Sequence, residues 1–181
     1  VIPEDQKHNY AENIIYLPDC YMPHDNTRQI SNKPISRADH GLPENGFVFC
    51  CFNNSFKISP NEFDIWMRLL NKIEGSVLWL LKANKWSESN LRNEARKRGL
   101  NEDRLVFADK LPLEKHLGRL RLADLFLDTF NFNAHTTASD ALWADLPVVS
   151  KVGKSFASRV AGSLLNAIEL PAIKTNTTGV P

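Results

Sequence analysis

The sequence predicts an α/β protein built on a Rossmann-like parallel sheet with helices on both faces. Five short apolar runs follow residue 46, and segments with helical spacing or helix-start residues separate them. Strands that alternate with helices form right-handed βαβ units, and such units assemble into a parallel sheet. The chain has 181 residues, of which 43% are hydrophobic. This size and composition are sufficient for one packed domain.

The first strand and helix have the clearest signals. Residues 47–52 form a continuous apolar run, which is typical of a strand buried on both faces. Residues 59–62 (Ser-Pro-Asn-Glu) then combine a helix N-cap, a proline in the first helical position and a glutamate three residues after the cap. Apolar residues at helical spacing continue to Ile73, and Gly75 ends the predicted helix.

The remaining elements continue the alternation. Predicted strands lie at residues 76–81, 105–107, 125–127 and 146–149. Predicted helices are a basic helix that opens at Ser87 and ends before Gly99, and helices at residues 113–121, 137–144 and 154–168. In sheets of this kind, ligands bind beyond the carboxyl ends of the strands, where loops lead into helices. Functional residues are therefore expected in those loops.

Residues 1–45 differ from the rest of the chain. Five prolines interrupt them, and only residues 13–17 (Asn-Ile-Ile-Tyr-Leu) have the composition of a strand. Such a stretch does not easily build a core of its own. We therefore expect a connector that packs against a neighbouring unit.

The composition argues against several classes of protein. The 22 basic and 21 acidic side chains nearly balance, so the net charge does not favour nucleic acid or an anionic membrane as a partner. No run of about 18 apolar residues predicts a membrane span. Cys20, Cys50 and Cys51 fit neither a disulfide framework nor a zinc pattern. We expect reduced thiols in a cytoplasmic protein.

The turn after the fourth predicted strand has the clearest chemistry. The polar loop of residues 128–135 leads into a helix whose first N–H groups have no partner inside the helix and attract anions. Thr136 and Thr137 add hydroxyl donors, and His135 adds an imidazole. The alternative is a plain helix cap, because residues 137–140 (Thr-Ala-Ser-Asp) fit an acidic capping box. A cap and a phosphate site can coexist at one helix end.

The surrounding residues resemble the protein O-linked N-acetylglucosamine transferase family, and more closely its bacterial members with tetratricopeptide repeats. The similarity covers roughly residues 10–170 and rests on residues 49–58, 76–81, 122–129, 133–137, 140–144, 147–149 and 157–161. The family has a two-lobed glycosyltransferase fold of the B type. The resemblance implies that residues 46–181 form a truncated C-terminal lobe, which binds the nucleotide sugar. Residues 1–45 would be a connector or the end of the N-terminal lobe.

The resemblance also implies a role for individual residues. It assigns the donor's diphosphate to Asn54, Lys57, His135, Thr136 and Thr137. Lys57 receives the catalytic role, because an ammonium group suits the negative charge that grows on the departing UDP. Asn54 stands where the animal enzymes have glutamine, and its shorter side chain reaches less far.

The uridine contacts implied by the resemblance are the backbone of Leu111 and the side chains of His116, Arg119 and Asp140. His116 would lie against the uracil, Arg119 at the uracil edge, and Asp140 would accept hydrogen bonds from the ribose diol. Spacing alone favours the alternative that His116 and Arg119 are unrelated basic residues on a surface helix. The animal enzymes contact ribose with a lysine where this chain has Leu113.

The implied reaction is inverting transfer of GlcNAc from UDP-GlcNAc to serine or threonine of an acceptor protein. No cofactor and no metal are expected, since the chain has no Asp-x-Asp motif. A phosphate loop at residues 153–155 (Gly-Lys-Ser) is rejected because Val148 occupies the position of the glycine it requires. Another donor, UDP-glucose or GDP-fucose, and an inactive scaffold remain alternatives. Without its N-terminal lobe and repeats, the chain is expected to be inactive.

Overall fold

The computed structural model describes residues 1–170 and the backbone of residues 174 and 175. Within that part of the chain the strands are β1 Val48–Cys51, β2 Val77–Leu81, β3 Leu105–Ala108, β4 Leu125–Leu127, β5 Val148–Lys151 and β6 Lys174–Thr175. The α-helices are α1 Pro60–Lys72, α2 Lys85–Lys97, α3 Leu113–Leu120, α4 Thr136–Trp143 and α5 Val160–Ala167. None of the described helices is long and apolar enough to cross a membrane.

All the described strands pair in parallel, in the order β3-β2-β1-β4-β5-β6. The predicted α/β fold with a Rossmann-like parallel sheet is therefore confirmed. The chain winds outwards from β1 to β3, then returns to place β4 on the other side of β1, where Phe49 pairs with Leu125. This reversal creates a crevice beyond the carboxyl ends of β1 and β4, the usual place for a ligand in such sheets.

The central strand β1 is buried on both faces, as its apolar run predicts. Successive side chains of a strand point to opposite faces, so β1 contributes to two separate cores. One core includes Cys50, Phe52, Trp79, Leu117 and Phe126. The other includes Phe49, Cys51, Phe63, Trp66 and Leu78. Packing on both faces fixes the end of β1, from which the first loop of the crevice starts.

Residues 1–45 contain two short 3₁₀ turns, Glu4–Asn9 and Ala38–His40. Arg37 ties this segment to the sheet: its Nη2 lies 2.8 Å from Asp124 Oδ2, and it donates to the carbonyl oxygens of Gly46 at 2.7 Å and Leu122 at 3.0 Å. Leu42 is buried within the first core. The segment therefore packs along the same sheet that residues 46 onwards build.

The predicted start of α1 is confirmed. Ser59 caps the helix, Pro60 occupies its first position, and the backbone N–H of Ser59 donates to Glu62 Oε1 at 2.7 Å. The predicted start of α2 at Ser87 is wrong. Asn84 is the cap, because its Oδ1 accepts the N–H of Ser87 at 2.8 Å and the helix begins at Lys85.

Two other predicted elements differ from the structure. Residues 13–17 are not a strand: they pair with no other strand of the described chain, and Ile15 is 86% exposed. A strand needs a partner for its backbone groups, and none pairs with these residues in the described part of the chain. The predicted helix at 154–168 is broken into the 3₁₀ turn Phe156–Ser158 and α5, because Ser155 caps the turn by accepting the N–H of Ser158.

Candidate functional site

Buried side chains join the loops that follow β1 and β4 at the crevice. Asn53 Nδ2 donates to Asp128 Oδ1 at 3.2 Å and to Thr129 Oγ1 at 2.9 Å. Its Oδ1 accepts the hydroxyl of Thr137 at 2.6 Å. Asn53 and Asp128 are only 2% and 1% exposed. Both loops and the start of α4 therefore form one hydrogen-bonded unit beneath the crevice.

Asp128 is the centre of this unit. Its Oδ1 accepts the backbone N–H groups of Thr129 at 2.8 Å and Ala134 at 2.5 Å, and its Oδ2 accepts the Ser150 hydroxyl at 2.6 Å. Burial raises the pKa of Asp128 to about 7, although these hydrogen bonds act to lower it. The carboxyl group thus fixes the backbone of the loop that leads into α4.

The start of α4 presents unpaired backbone donors. Among the described residues, no group accepts a hydrogen bond from the N–H of Thr136 or Thr137. Such N–H groups carry partial positive charge and suit an anion. The Thr136 side chain is exposed. The Thr137 hydroxyl donates its proton to Asn53, so Thr137 can offer a phosphate its backbone N–H but not this proton.

The alternative of an acidic capping box at residues 137–140 is wrong. The helix starts at Thr136, one residue earlier than predicted, and His135 at its N-cap makes no side-chain capping bond. The side chains that the box would use are engaged elsewhere, Thr137 with Asn53 and Asp140 with Arg28. The helix end is therefore left open towards the crevice.

Lys57 and Asn54 approach this helix end from the loop after β1. The 3₁₀ turn Ser55–Lys57 places Lys57 so that its Nζ donates to the carbonyl oxygen of Asn133 at 3.1 Å. The same Nζ lies 4.0 Å from the ring centroid of Phe132. Burial lowers the pKa of Lys57, and the Asp128 charge acts in the opposite direction. Asn54 is exposed at the start of the turn.

His135 lies where the sequence predicts it, but its proton is already engaged. Its ring stacks on Phe132 with centroids 4.9 Å apart, and its Nε2 lies 3.3 Å from the carbonyl oxygen of Ala157. A carbonyl only accepts, so Nε2 is the protonated nitrogen. Burial lowers the pKa of His135, which favours the neutral ring with Nδ1 as an acceptor. Donation to a phosphate requires a second proton or a turned ring.

On α3, Arg119 holds His116. Arg119 Nε lies 3.1 Å from His116 Nδ1, and its Nη1 donates to the carbonyl oxygen of Asp109 at 2.6 Å. Arginine only donates, so Nδ1 of His116 accepts and Nε2 bears the proton. Burial lowers the pKa of His116 to about 4 and that of Arg119 to about 10. His116 is thus neutral at physiological pH, with a fixed tautomer.

Arg119 is not a surface residue of α3, contrary to the alternative based on spacing alone. It is 2% exposed, and its guanidinium lies 4.8 Å from the ring centroid of Phe52. The ring centroids of Phe52 and His116 are 5.2 Å apart. Phe52 directly precedes Asn53 in the chain. His116 therefore adjoins the loops of the crevice. Leu111 and Leu113 are 37% and 49% exposed at the same end of α3.

Asp140 is already paired in the structure. Its Oδ1 lies 2.5 Å from Arg28 Nη1, and the two side chains are 7% and 9% exposed. Burial raises the pKa of Asp140, and the charge of Arg28 opposes that shift. The sequence resemblance implied that Asp140 binds the ribose, but nothing in the sequence indicated that Asp140 pairs with another side chain. The pair leaves Oδ2 without a hydrogen-bond partner in the described part of the chain.

Four residues of the site were missed from the sequence: Arg28, Asn53, Phe132 and Asp128. Two had a usable signal. Asn53 and Asp128 are polar residues directly after buried strands, the place where site residues were sought. Phe132 lies among polar loop residues with no periodicity. Arg28 lies 112 positions from its partner, and no local pattern links them.

The chain is similar to a known protein family and to proteins with assigned names. Residues 26–178 match the family described as Glycosyl transferase family 41. A protein of Arabidopsis thaliana named "Probable UDP-N-acetylglucosamine--peptide N-acetylglucosaminyltransferase SEC" is 37% identical over 94% of this chain and 18% of its own length. A UDP-N-acetylglucosamine--peptide N-acetylglucosaminyltransferase of Caenorhabditis elegans is 41% identical over 78% of this chain and 12% of its own length.

Among solved structures, a mutant of the Thermobaculum terrenum O-GlcNAc transferase superposes with a TM-score of 0.82 at 26% identity. The match covers 98% of this chain and 33% of that protein. The chain spans less than a fifth of the length of the Arabidopsis and Caenorhabditis relatives. The family match and the structural match cover the same loops that form the crevice. The chain belongs to glycosyl transferase family 41.

Proposed function

We propose that this chain is the UDP-sugar-binding lobe of a protein O-GlcNAc transferase. The full-length protein would transfer GlcNAc with inversion from UDP-GlcNAc to serine or threonine of an acceptor protein. The observation that supports this most is that Lys57 Nζ is held at Asn133 O, three residues before the open helix end at Thr136. Two positive features face one crevice, as a diphosphate requires.

The negative charge that develops on the leaving group explains why positive groups are needed at the diphosphate. As the bond between the sugar and the diphosphate breaks, negative charge grows on the departing UDP. A fixed ammonium group and oriented N–H groups stabilise that charge without a metal ion. Asn54, exposed beside Lys57, is the proposed amide donor to the same group. His135 borders this site and contributes a proton only when its ring is doubly protonated or turned.

The nucleoside would lie beside α3 and α4. The neutral ring of His116 would lie with its protonated Nε2 towards the uracil, and the backbone of Leu111 would border the same base. Asp140 Oδ2 would accept hydrogen bonds from the ribose. Arg119 acts through His116 in this proposal, because its guanidinium is buried behind the ring. The sheet from residue 46 onwards would thus be the C-terminal lobe, and residues 1–45 the connector to an N-terminal lobe that activates the acceptor.

The sequence resemblance extends the proposal to the whole protein. We infer an N-terminal lobe, tetratricopeptide repeats that bind the acceptor protein, and a cytoplasmic location. The names of the relatives favour UDP-GlcNAc as the donor. Competition of UDP, GDP, UDP-glucose and GDP-fucose against labelled UDP-GlcNAc would test this choice. Displacement by GDP or GDP-fucose at lower concentration than by UDP would contradict it.

The test of catalysis is sugar transfer by the full-length protein with a Lys57→Ala substitution. Removing one charge-stabilising donor of this type lowers kcat by about 10²–10³-fold. Lys97→Ala is the matched control, since Lys97 is an exposed lysine of α2 paired with Glu94. Radiolabelled transfer should fall with Lys57→Ala and stay unchanged with Lys97→Ala. Equal rates for both variants would overturn the catalytic role, and absence of transfer by the unmodified protein would favour the scaffold alternative.

A further inference from the structure

We propose that Arg28 is a positioning residue for the nucleotide: it holds Asp140 so that the second carboxylate oxygen binds the ribose hydroxyls. The inference rests on the proposed function and adds a residue from the connector to the nucleoside site. Arg28 lies far from Asp140 in the chain, within residues 10–37, which have neither a strand nor a helix. Its contacts nevertheless fix its guanidinium at α4.

Several contacts hold Arg28 in place. Its Nη1 pairs with Asp140 Oδ1 at 2.5 Å, and its Nε donates to the carbonyl oxygen of Asp25 at 3.0 Å. The guanidinium lies 5.1 Å from the ring centroid of Trp143, whose Nε1 donates to the carbonyl oxygen of Arg28 at 3.2 Å. Asp140 and Trp143 both belong to α4. Arg28 is thus bound to one helix through its side chain and its backbone.

Asp140 Oδ2 is available to a ribose diol, whose hydroxyls donate hydrogen bonds that a carboxylate oxygen accepts. Burial raises the pKa of Asp140, and the adjacent Arg28 charge opposes this shift. Because Arg28 binds only Oδ1, the carboxylate keeps a fixed orientation and Oδ2 stays available.

The same segment also contacts the helix that bears His116. Three residues after Arg28, the N–H of Ser31 donates to the carbonyl oxygen of Glu114 at 3.0 Å. A Cβ at Gly118 would lie 3.3 Å from Ser31 O, so the glycine lets the segment approach α3 closely. Residues 28–31 therefore span from α4 to α3, the two helices that border the nucleoside. In this position the segment can fix α3 and α4 relative to each other.

The experiment measures binding of two ligands to the full-length protein by calorimetry: UDP and its dideoxyribose analogue, which lacks both ribose hydroxyls. Arg28→Gln should weaken UDP binding about tenfold, the effect of impairing hydrogen bonds to a charged group. Binding of the analogue should not change, because it makes no bond to Asp140. Arg28→Lys, which keeps the charge and the fold, should retain part of the preference for UDP.

Arg37→Gln is the matched control. Arg37 also joins the connector to the sheet through an ion pair, with Asp124 Oδ2 at 2.8 Å, but lies at the start of β4 and away from the crevice. The Arg37→Gln variant should bind UDP and the analogue with the same affinities as the unmodified protein. Equal weakening of UDP and analogue by Arg28→Gln would reduce Arg28 to a structural residue and overturn the inference. Tighter UDP binding would also overturn it, since Arg28 would then occlude Asp140.

Two further results separate this inference from the proposed function. If the unmodified protein binds neither ligand, the nucleotide site itself is wrong and the role of Arg28 falls with it. If it binds UDP but shows no preference over the analogue, the function stands and only the role of Arg28 fails. In the Asp140→Asn background, Arg28→Gln should add no further loss of UDP affinity, and an additive loss would contradict the coupling.

Discussion

The two halves of the candidate site are built differently. In the diphosphate half, formed by the loops after β1 and β4, buried groups pair with each other and leave backbone donors and Lys57 at the crevice. In the nucleoside half, formed by α3, Asp140 and Arg28, the charged side chains are themselves engaged: Arg119 by His116, and Asp140 by Arg28. In the proposed site, a phosphate would thus meet backbone donors and Lys57, and a nucleoside would meet side chains that are already paired.

The largest effect is expected in the diphosphate half, from Asp128→Asn. Asp128 accepts hydrogen bonds from two backbone N–H groups and from the side chains of Asn53 and Ser150. An amide replaces one acceptor oxygen by a donor that faces these donors. The free energy of unfolding should fall by about 3 kcal/mol. Urea unfolding measures it, and Asp145→Asn on the exposed Asp145 is the control. A loss no larger than that of the control would contradict the central role of Asp128.

The pH dependence of stability gives the same comparison a second test. The folded pKa of Asp128, raised by burial to about 7, lies above its value of about 3.9 in the unfolded chain. The folded state therefore holds the proton more tightly, and this contribution is lost as pH rises from about 4 through about 7. The unmodified protein should lose stability over that window relative to Asp128→Asn. A difference that does not change with pH would contradict a titrating Asp128.

A smaller effect is expected in the nucleoside half, from Arg119→Gln. Without the guanidinium, Nδ1 of His116 loses its donor and the ring is no longer restricted to one tautomer. The pKa of His116 should rise from about 4, because the Arg119 charge helps to lower it. UDP affinity should fall about tenfold. Proton NMR titration follows His116, and calorimetry follows UDP.

Arg121→Gln is the control for this variant. Arg121 is half-exposed at the end of α3, and its ion pair with the exposed Asp145 is long at 3.6 Å. Arg121→Gln should leave the pKa of His116 and the affinity for UDP unchanged. If Arg119→Gln also leaves both unchanged, Arg119 does not act through His116 and the nucleoside half has been described wrongly.

Features encoded by neighbouring residues could be predicted from the sequence, and contacts between distant residues could not. The sheet followed from alternating apolar runs, and the open end of α4 followed from a strand, a polar loop and a helix start within a few residues. The pairing of Arg28 with Asp140 could not be seen, because it joins positions 112 residues apart. The burial of Arg119 was missed for a similar reason: Phe52 and Asp109, which enclose it, belong to other elements.

Local signals also failed where two readings competed. Asn84 and Ser87 are both good N-cap residues, and only the bond from Ser87 N to Asn84 Oδ1 shows which one caps α2. Residues 13–17 have the composition of a strand but no neighbouring edge to pair with. The sequence is consistent with Thr137 as a helix cap, but its hydroxyl donates to Asn53, which belongs to the other loop.

The smallest effects concern the two adjacent threonines of the diphosphate half. Thr137→Val should lower the free energy of unfolding by about 1 kcal/mol, because Asn53 Oδ1 loses its buried donor. Thr136→Val should leave stability nearly unchanged, since Thr136 is exposed, and should weaken UDP binding about fivefold through loss of one hydroxyl donor. Thermal unfolding and calorimetry on both variants measure this. The reverse pattern would show that Thr137, not Thr136, donates its hydroxyl to the ligand.

The most direct test of the diphosphate site is a crystal structure of the full-length protein with UDP. The diphosphate oxygens should lie within hydrogen-bond distance of Lys57 Nζ and of the N–H groups of Thr136 and Thr137, beyond the carboxyl ends of β1 and β4. A diphosphate bound away from this helix end, with Lys57 still on Asn133 O and Phe132, would contradict it.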